Sequence, residues 1–537
     1  MSPIVQRSYS INAGLAARVT RTLDHFKNKT LLADENGSLS GHEIRQELHQ
    51  IARLISPYSA ASTRVGIVMD NSVAKMLCIL GCIRSGRVPV IFSAQENLEV
   101  LSRANEIACL LTDTYIENAF KLPYPVLQLN SNARKIVEYN SHPKPVSLAP
   151  KGSSLVLYTS GSSGEPKGVL IPEEGILYTV DYLIDYFALN SKSRATIFLP
   201  TSHSMGLNTQ FFPTFFAGGE SYLVNTAKNL SRIYRTMLET EGNFQALIGD
   251  MLRIAFEEKL RKNLPAAENV RHLQLAGGII HREHLRMAAE LFPNAIIHKG
   301  YGMTEALRVS MISSLDANFE KDTAGYVLPG QKVEIRNSEG EALPSGSIGQ
   351  IHLQGPNITL GYEKQDIHEI LTEDGFLPSG DMGVLDKEGR LTILGRSDSL
   401  FKINGERISA KEIEQVALES EFCIRDVKCL PFECPKIGRA KAVLFLEIPC
   451  EKEAHFFKSG KEVFEENFRK RMLNKRYTPR EIMILNSFPR TQNGKLKNQV
   501  LRQIYDLADK TEKIATQKGL LFRRFSSLEL SEASAFN

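Results

Sequence analysis

Between the apolar runs Leu155-Val156-Leu157-Tyr158 and Gly168-Val169-Leu170-Ile171 lies a loop of unusual composition, Thr159-Ser160-Gly161-Ser162-Ser163-Gly164-Glu165-Pro166-Lys167. Hydroxyl side chains donate hydrogen bonds, glycines let backbone N–H groups approach an anion, and the lysine adds charge. The combination suits a row of phosphates. It is not a Walker-type loop, because the Gly-Lys-Ser ending and the helix that should follow are absent. Pro166 and the apolar run after it predict a hairpin instead. A solvated Ser/Gly turn is the plain alternative, and a whole hairpin of this make-up argues against it.

The loop resembles the nucleotide-triphosphate loop of the adenylate-forming superfamily, which includes acyl-CoA synthetases, aryl-CoA ligases, peptide-synthetase adenylation domains and luciferases. Further stretches resemble that family's motifs in order along the chain. Pro200-Thr201-Ser202-His203-Ser204-Met205-Gly206 is similar to its histidine segment, and Ala276-Gly277-Gly278-Ile279 to its adenine-side loop. Gly300-Tyr301-Gly302-Met303-Thr304-Glu305-Ala306 closely resembles its central motif. Pro378-Ser379-Gly380-Asp381 resembles the ribose-binding segment, with Ser379 where the family usually has threonine. Gly395-Arg396-Ser397-Asp398 resembles the hinge, and Pro489-Arg490-Thr491-Gln492-Asn493-Gly494-Lys495 the C-terminal lysine loop. The resemblance spans roughly residues 30 to 505.

The chemistry this resemblance implies is activation of a carboxylic acid. A carboxylate is a poor electrophile because its leaving group would be oxide. Attack on the α-phosphate of ATP gives an acyl-adenylate and pyrophosphate, so that AMP becomes the leaving group. The charge that develops on the phosphates calls for Mg²⁺ and cationic donors. By resemblance, Thr159, Ser160, Gly161, Ser162, Ser163, Gly164 and Lys167 hold the phosphates. Thr304 and Glu305 position phosphate and Mg²⁺, for which a hard carboxylate oxygen is suited. Tyr301, next to Gly302, offers a flat face to adenine beside Gly277 and Gly278. Asp381, which when ionised only accepts hydrogen bonds, fits the ribose diol, and Arg396 holds the same nucleotide. Lys495 is the catalytic arm that reaches the carboxylate and α-phosphate, and His203 gates the acyl pocket. Asp398 is the pivot that presents first Lys495 and then a thiol channel containing Lys402 and Gly405. The plain alternatives are a surface Glu305, a turn-forming Asp381 and a core His203.

The implied acceptor is coenzyme A or the phosphopantetheine of a separate acyl carrier protein. Fatty acyl-AMP ligases of the family carry an insertion before the ribose-binding aspartate, and the interval from Tyr362 to Asp381 looks too short for it, which favours coenzyme A. An amino acid substrate is disfavoured because Gly206-Leu207-Asn208-Thr209-Gln210-Phe211-Phe212 holds no carboxylate for an α-ammonium. A catalytically silent nucleotide-binding protein would need neither Glu305 nor Lys495. Arg308, three residues after Glu305, is unexpected beside an acyl group. The default expectation is that it points outward or pairs with a neighbouring acid or carbonyl. Were it to face the pocket, it would favour an acid with a second anionic group.

These residues need a scaffold of parallel strands. Arg64-Val65-Gly66-Ile67-Val68-Met69, a helix over Ser72 to Arg84, and Val88-Pro89-Val90-Ile91-Phe92 read as strand, helix, strand, the signature of an α/β class. Ala195 to Leu199, Ala246 to Ile248, His272 to Leu275 and Ala295 to His298 read as further strands. Short β-runs between Gly, Pro and Asn turns from Gly325 to Leu394 predict a small β-barrel-like part. Ser409-Ala410-Lys411-Glu412 predicts a capping box that opens a helix through Ala417. The expected domains are a large N-terminal α/β domain over 1–396, a smaller mobile α/β domain over 397–510, and a flexible tail over 511–537.

The 537 residues and near-neutral balance of 65 Lys and Arg against 61 Asp and Glu exclude a polybasic nucleic-acid scaffold. Residues 399–537 are more basic, with 26 Lys and Arg against 19 Asp and Glu, which suits a phosphorylated thiol or is simply a solvated face. Seven sparse cysteines do not form a disulfide framework, and Cys78 and Cys82 belong on one buried helix face. No apolar leader or membrane-length apolar run appears, so a cytoplasmic protein with reduced thiols and no membrane span is expected.

Overall fold

Every residue of Arg64–Val68 and of Val88–Phe92 is buried, as parallel strands covered on both faces require. In the computed structural model of the protein they centre a nine-stranded sheet. Its order is Gln365–Asp366, Gly361–Tyr362, Pro166–Pro172, Ser153–Ser160, Val88–Phe92, Arg64–Val68, Ile107–Thr112, Val126–Leu129 and Lys135–Tyr139. The structure describes residues 14–525 apart from 95, 97, 104–105, 140–145, 161–165, 226–228, 278–279, 281, 322, 397–399, 404–405, 419, 421–422, 435–438, 472–478, 480, 491–495, 497, 508–512 and 516–520. The helix expected over 72–84 runs Val73–Arg84, with the Ser72 hydroxyl accepting from the Lys75 N–H at 3.2 Å. Cys78 and Cys82 are fully buried on it, and burial pushes both thiols up.

A second nine-stranded sheet has the order Tyr326–Val327, Ser310–Ser313, Ile296–Tyr301, His272–Leu275, Phe244–Leu247, Arg194–Ile197, Glu220–Leu223, Thr30–Asp34 and Gly37–Ser40. The six strands from Ile296–Tyr301 to Thr30–Asp34 run parallel, and the edges are antiparallel. In sheets of this kind ligands bind outside the carboxyl ends of the strands. The residues around Gly277 follow His272–Leu275, and Thr304 and Glu305 follow Ile296–Tyr301.

Two strands differ from the expectation. Ile296–Tyr301 runs on past His298, because its last residues pair with Ser310–Ser313. Arg194–Ile197 stops earlier than the expected Leu199. Pro200 has no N–H for a ladder, and Asn71 takes over there. Its amide donates to the Leu199 carbonyl at 2.9 Å and accepts from the Thr201 N–H at 2.9 Å.

The β-rich stretch forms a four-stranded sheet in the order Lys332–Arg336, Ile348–Gln354, Leu377–Leu385 and Leu391–Arg396. By compactness the chain divides into a unit of residues 1–334, 352–378 and 386–391, and a unit of 335–351, 379–385 and 392–537. In the second unit a five-stranded sheet has the order Asp426–Cys434, Arg439–Glu447, Glu481–Leu485, Leu521–Phe525 and Lys513–Ala515. Ile413, Phe464 and Phe468 are among the residues packed on one side of it, Leu501 and Ile504 on another. Two of these strands lie within the stretch 511–537 that was expected as a tail. Leu521–Phe525 finds a parallel partner in Glu481–Leu485, which satisfies its backbone groups. The helix predicted from Ser409 begins at Ala410. No helix among the described residues is long and apolar enough to cross a membrane.

Candidate active site

The turn carrying Thr304 and Glu305 is built by close backbone approach. The Val309 N–H donates to the Tyr301 carbonyl at 2.9 Å, closing the loop between the strands Ile296–Tyr301 and Ser310–Ser313. Gly302 sits directly against the Leu307 carbonyl, so that any Cβ at position 302 would collide with it. Leu307 itself is left-handed, with φ of 46°. Such a conformation costs a non-glycine residue about 1–3 kcal/mol and persists only where surrounding structure enforces it.

A set of buried and half-buried polar side chains does the enforcing. The Asn357 amide donates to the carbonyls of Ala306 and Arg308, and Gln331 Nε2 donates to the Arg308 carbonyl at 2.6 Å. The Thr359 N–H donates to the Glu305 carbonyl at 2.8 Å, while its hydroxyl donates to the Leu170 carbonyl at 2.7 Å. Leu170 lies on Pro166–Pro172, the return strand of the hairpin expected from the sequence.

Tyr362 completes the connection. It pairs with Val169 on that return strand, and its hydroxyl donates to Glu305 Oε1 at 3.1 Å. The exposed Lys167 carries its Nζ 5.1 Å from the centre of the Tyr362 ring, a cation–π distance. Lys167 and Glu305, 138 positions apart, are thus brought to one tyrosine. Thr304 is half-buried beside them, and its hydroxyl has no hydrogen-bond partner among the described residues. Under the hairpin, Tyr158 donates to Glu363 at 2.6 Å and Arg64 Nε lies 3.4 Å from the same carboxylate. Burial raises the carboxyl of Glu363 and the phenol of Tyr158.

The other expected residues of this unit fall around strand ends. Gly277 has φ of 84°, and a Cβ there would stand 2.7 Å from Ile248 Cγ2, so glycine is required. Tyr301 is half-buried at the end of its strand. His203 is half-buried at the start of the short helix Ser204–Gly206. Thr159 and Ser160 close the strand Ser153–Ser160.

In the second unit, the Ser379 hydroxyl donates to the Ile351 carbonyl at 2.9 Å and accepts from the Asp381 N–H at 3.0 Å. A threonine hydroxyl could do the same, which explains how serine serves in that motif. Arg396 Nε lies 3.8 Å from Asp381 Oδ1, and its Nη1 donates to the Ser379 carbonyl at 3.4 Å. Lys402 lies on the strand Leu400–Ile403. Gly161, Ser162, Ser163, Gly164, Gly278, Asp398, Gly405 and Lys495 lie outside the described residues.

A family model described as AMP-binding enzyme matches residues 19–363, well over half of the chain. The chain belongs to the AMP-binding enzyme family. Membership bears out the adenylate-forming resemblance read from the motifs. Among relatives, a D-alanine–D-alanyl carrier protein ligase of Listeria welshimeri is 26% identical over 87% of this chain and 94% of its own. A 2-succinylbenzoate–CoA ligase of Bacillus cytotoxicus is 25% identical over 82% of this chain and 89% of its own. Among solved structures, the o-succinylbenzoate coenzyme A synthetase of Bacillus subtilis in complex with AMP superposes with a TM-score of 0.75 at 21% identity, over 90% of this chain and 97% of that one. That likeness supports the two-domain α/β fold.

The donor set of this AMP-binding enzyme fits magnesium carried on phosphates better than a metal caged by protein. No group of three or more His, Cys, Asp or Glu side chains able to hold a metal occurs among the described residues. Mg²⁺ typically keeps one or two carboxylates and takes its other ligands from phosphate and water. Glu305 would offer one such carboxylate; among the described residues its Oε1 accepts from Tyr362 and its Oε2 makes no hydrogen bond.

Tyr362, Asn357, Thr359 and Gln331 were not legible as site residues. The available signal was weak: Asn357 and Thr359 are polar positions that interrupt an apolar segment, and both are almost fully buried.

Proposed function

We propose that this protein activates a carboxylic acid with ATP, releasing pyrophosphate, and then transfers the acyl group to the thiol of coenzyme A. The observation that carries this reading is the link from Lys167 through Tyr362 to Glu305, which joins a phosphate-loop cation to a carboxylate within one compact unit. In the first half-reaction a carboxylate oxygen of the acid attacks the α-phosphorus of ATP. The acyl oxygen–phosphorus bond forms as the bond to pyrophosphate breaks. Lys167 and the Thr304 hydroxyl stabilise charge on the phosphates, and Lys495 stabilises it at the reacting centre. Magnesium, when bound through Glu305, supplies further neutralisation of phosphate charge. Asp381 and Arg396 hold the nucleotide. In the second half-reaction the thiolate attacks the acyl carbon and AMP leaves with the bonding pair. Asp398, Lys402 and Gly405 serve that step, and His203 gates the acid's entry.

Relatives of this chain include both CoA ligases and a carrier-protein ligase. The short interval between Tyr362 and Asp381 favours coenzyme A. The test is a panel of carboxylic acids scored by pyrophosphate release, with coenzyme A, with a phosphopantetheinylated carrier, and with neither. In the same assay Lys495→Ala is expected to lose about 100- to 1,000-fold in adenylate formation, while thioester formation from supplied acyl-adenylate survives. Equal loss in both steps would remove Lys495 from the role given to it.

A further inference from the structure

Arg308 does not point outward. It is 3% exposed, and no carboxylate lies within ion-pair distance of it among the described residues. Its Nε is buried with no hydrogen-bond partner. The groups that act on its charge are the phenols of Tyr182 and Tyr186, on the helix Glu173–Tyr186. A buried cation left without a counter-charge is costly, and proteins normally pair it. Burial pulls its pKa down to about 10.

The position is held firmly. The left-handed Leu307 turns the backbone, and Gln331 and Asn357 fix the Arg308 carbonyl. Gly300 leaves the space, since a Cβ there would stand 2.8 Å from Arg308 Nη1. Gly300 belongs to the strand Ile296–Tyr301 that leads into Thr304 and Glu305. His298, two residues before Gly300, faces the same way, and Gln274 is in register with it on the next strand. Gln274 Oε1 is also buried and unpartnered.

We propose that Arg308 receives a second negative charge on the substrate, so that the acid this protein activates is a dicarboxylate. One carboxylate reacts with ATP, and the other forms a charge-assisted pair with the guanidinium. The inference rests on the reading of the protein as an acid-activating ligase.

The test compares the full-length protein with Arg308→Met, using succinate, glutarate and adipate against butyrate, pentanoate and hexanoate. Pyrophosphate release and the melting shift on adding each acid are both read. The wild type should prefer a diacid at least tenfold over its monoacid counterpart. Arg308→Met should lose at least tenfold on the diacid, a factor equivalent to about 1.4 kcal/mol, and leave monoacids unchanged or improved. Its melting temperature without acid should not fall, and Arg308→Lys should restore part of the diacid preference. If wild type prefers monoacids, or if Arg308→Met lowers every acid alike, Arg308 is structural and the proposal is overturned while acid activation stands. If no acid in the widened panel releases pyrophosphate from wild type, the activation reading fails and takes this inference with it.

Discussion

Among the described residues, the larger unit buries Arg64 and Arg308 and surrounds them differently. Arg64, on a central strand, is 4% exposed and faces the Glu363 carboxylate at 3.4 Å, with Glu106 at 3.9 Å. Glu363 is itself held by the Tyr158 hydroxyl. Arg308, equally buried, has phenols and a glycine for neighbours. The buried guanidinium on the central strand is supplied with a carboxylate. Around Arg308 the framework is instead a clamp of neutral amides and hydroxyls on the backbone, with no carboxylate at ion-pair distance among the described residues.

That contrast is most exposed to test at Glu363. Replacing it with glutamine keeps its shape and leaves Arg64 buried beside a neutral group. Breaking a buried pair in this way typically costs about 3–5 kcal/mol. Glu363→Gln should therefore lower the denaturation midpoint strongly, whereas Arg308→Met should leave it unchanged or raise it. Similar losses in the two variants would mean that Arg308 also serves the framework.

Tyr362→Phe sharpens the comparison at smaller scale, because it removes one hydroxyl from Glu305 while keeping the ring beside Lys167. Loss of one such hydrogen bond is worth about 0.5–1.5 kcal/mol. The expected outcome is a drop of about threefold to tenfold in kcat/KM for ATP, with the melting temperature little changed. A variant that melts early but turns over normally would make Tyr362 part of the scaffold alone.

The smallest effect concerns pH. Burial, and His272 beside it, hold His298 down at about 3 on the face that carries Arg308. An unfolded histidine titrates near its ordinary 6.5. Below that value the unfolded chain binds the extra proton, so the contribution is full above pH 6.5 and is lost as pH falls toward 3. Each unit of that fall should cost about 1 kcal/mol. Denaturation at pH 7.5 and 5.5 should show the difference, and His298→Gln should flatten it. A wild type equally stable at both values would mean that the face admits charge readily.

Much of this was legible in one dimension. The strand-helix-strand alternation at 64–92 follows from apolar runs and the Ser72 cap, which are local properties of the chain. The hairpin at 153–172 likewise declares itself through loop composition and Pro166. Family membership was readable from short motifs, because phosphate contact demands particular residue types at close spacing. The contacts among those motifs were not. Tyr362 meets Glu305 and Lys167 only because the sheet sets Gly361–Tyr362 against Pro166–Pro172. Arg308 was expected to face outward or to pair with a neighbouring acid or carbonyl, since exposed or paired arginines are the rule. Its burial depends on the left-handed turn at Leu307 and on polar clamps from residues 331 and 357. Composition and spacing determined the strands, the loops and the kind of chemistry. Whether a given charge has a partner depends on groups distant in the chain, and packing alone decided that.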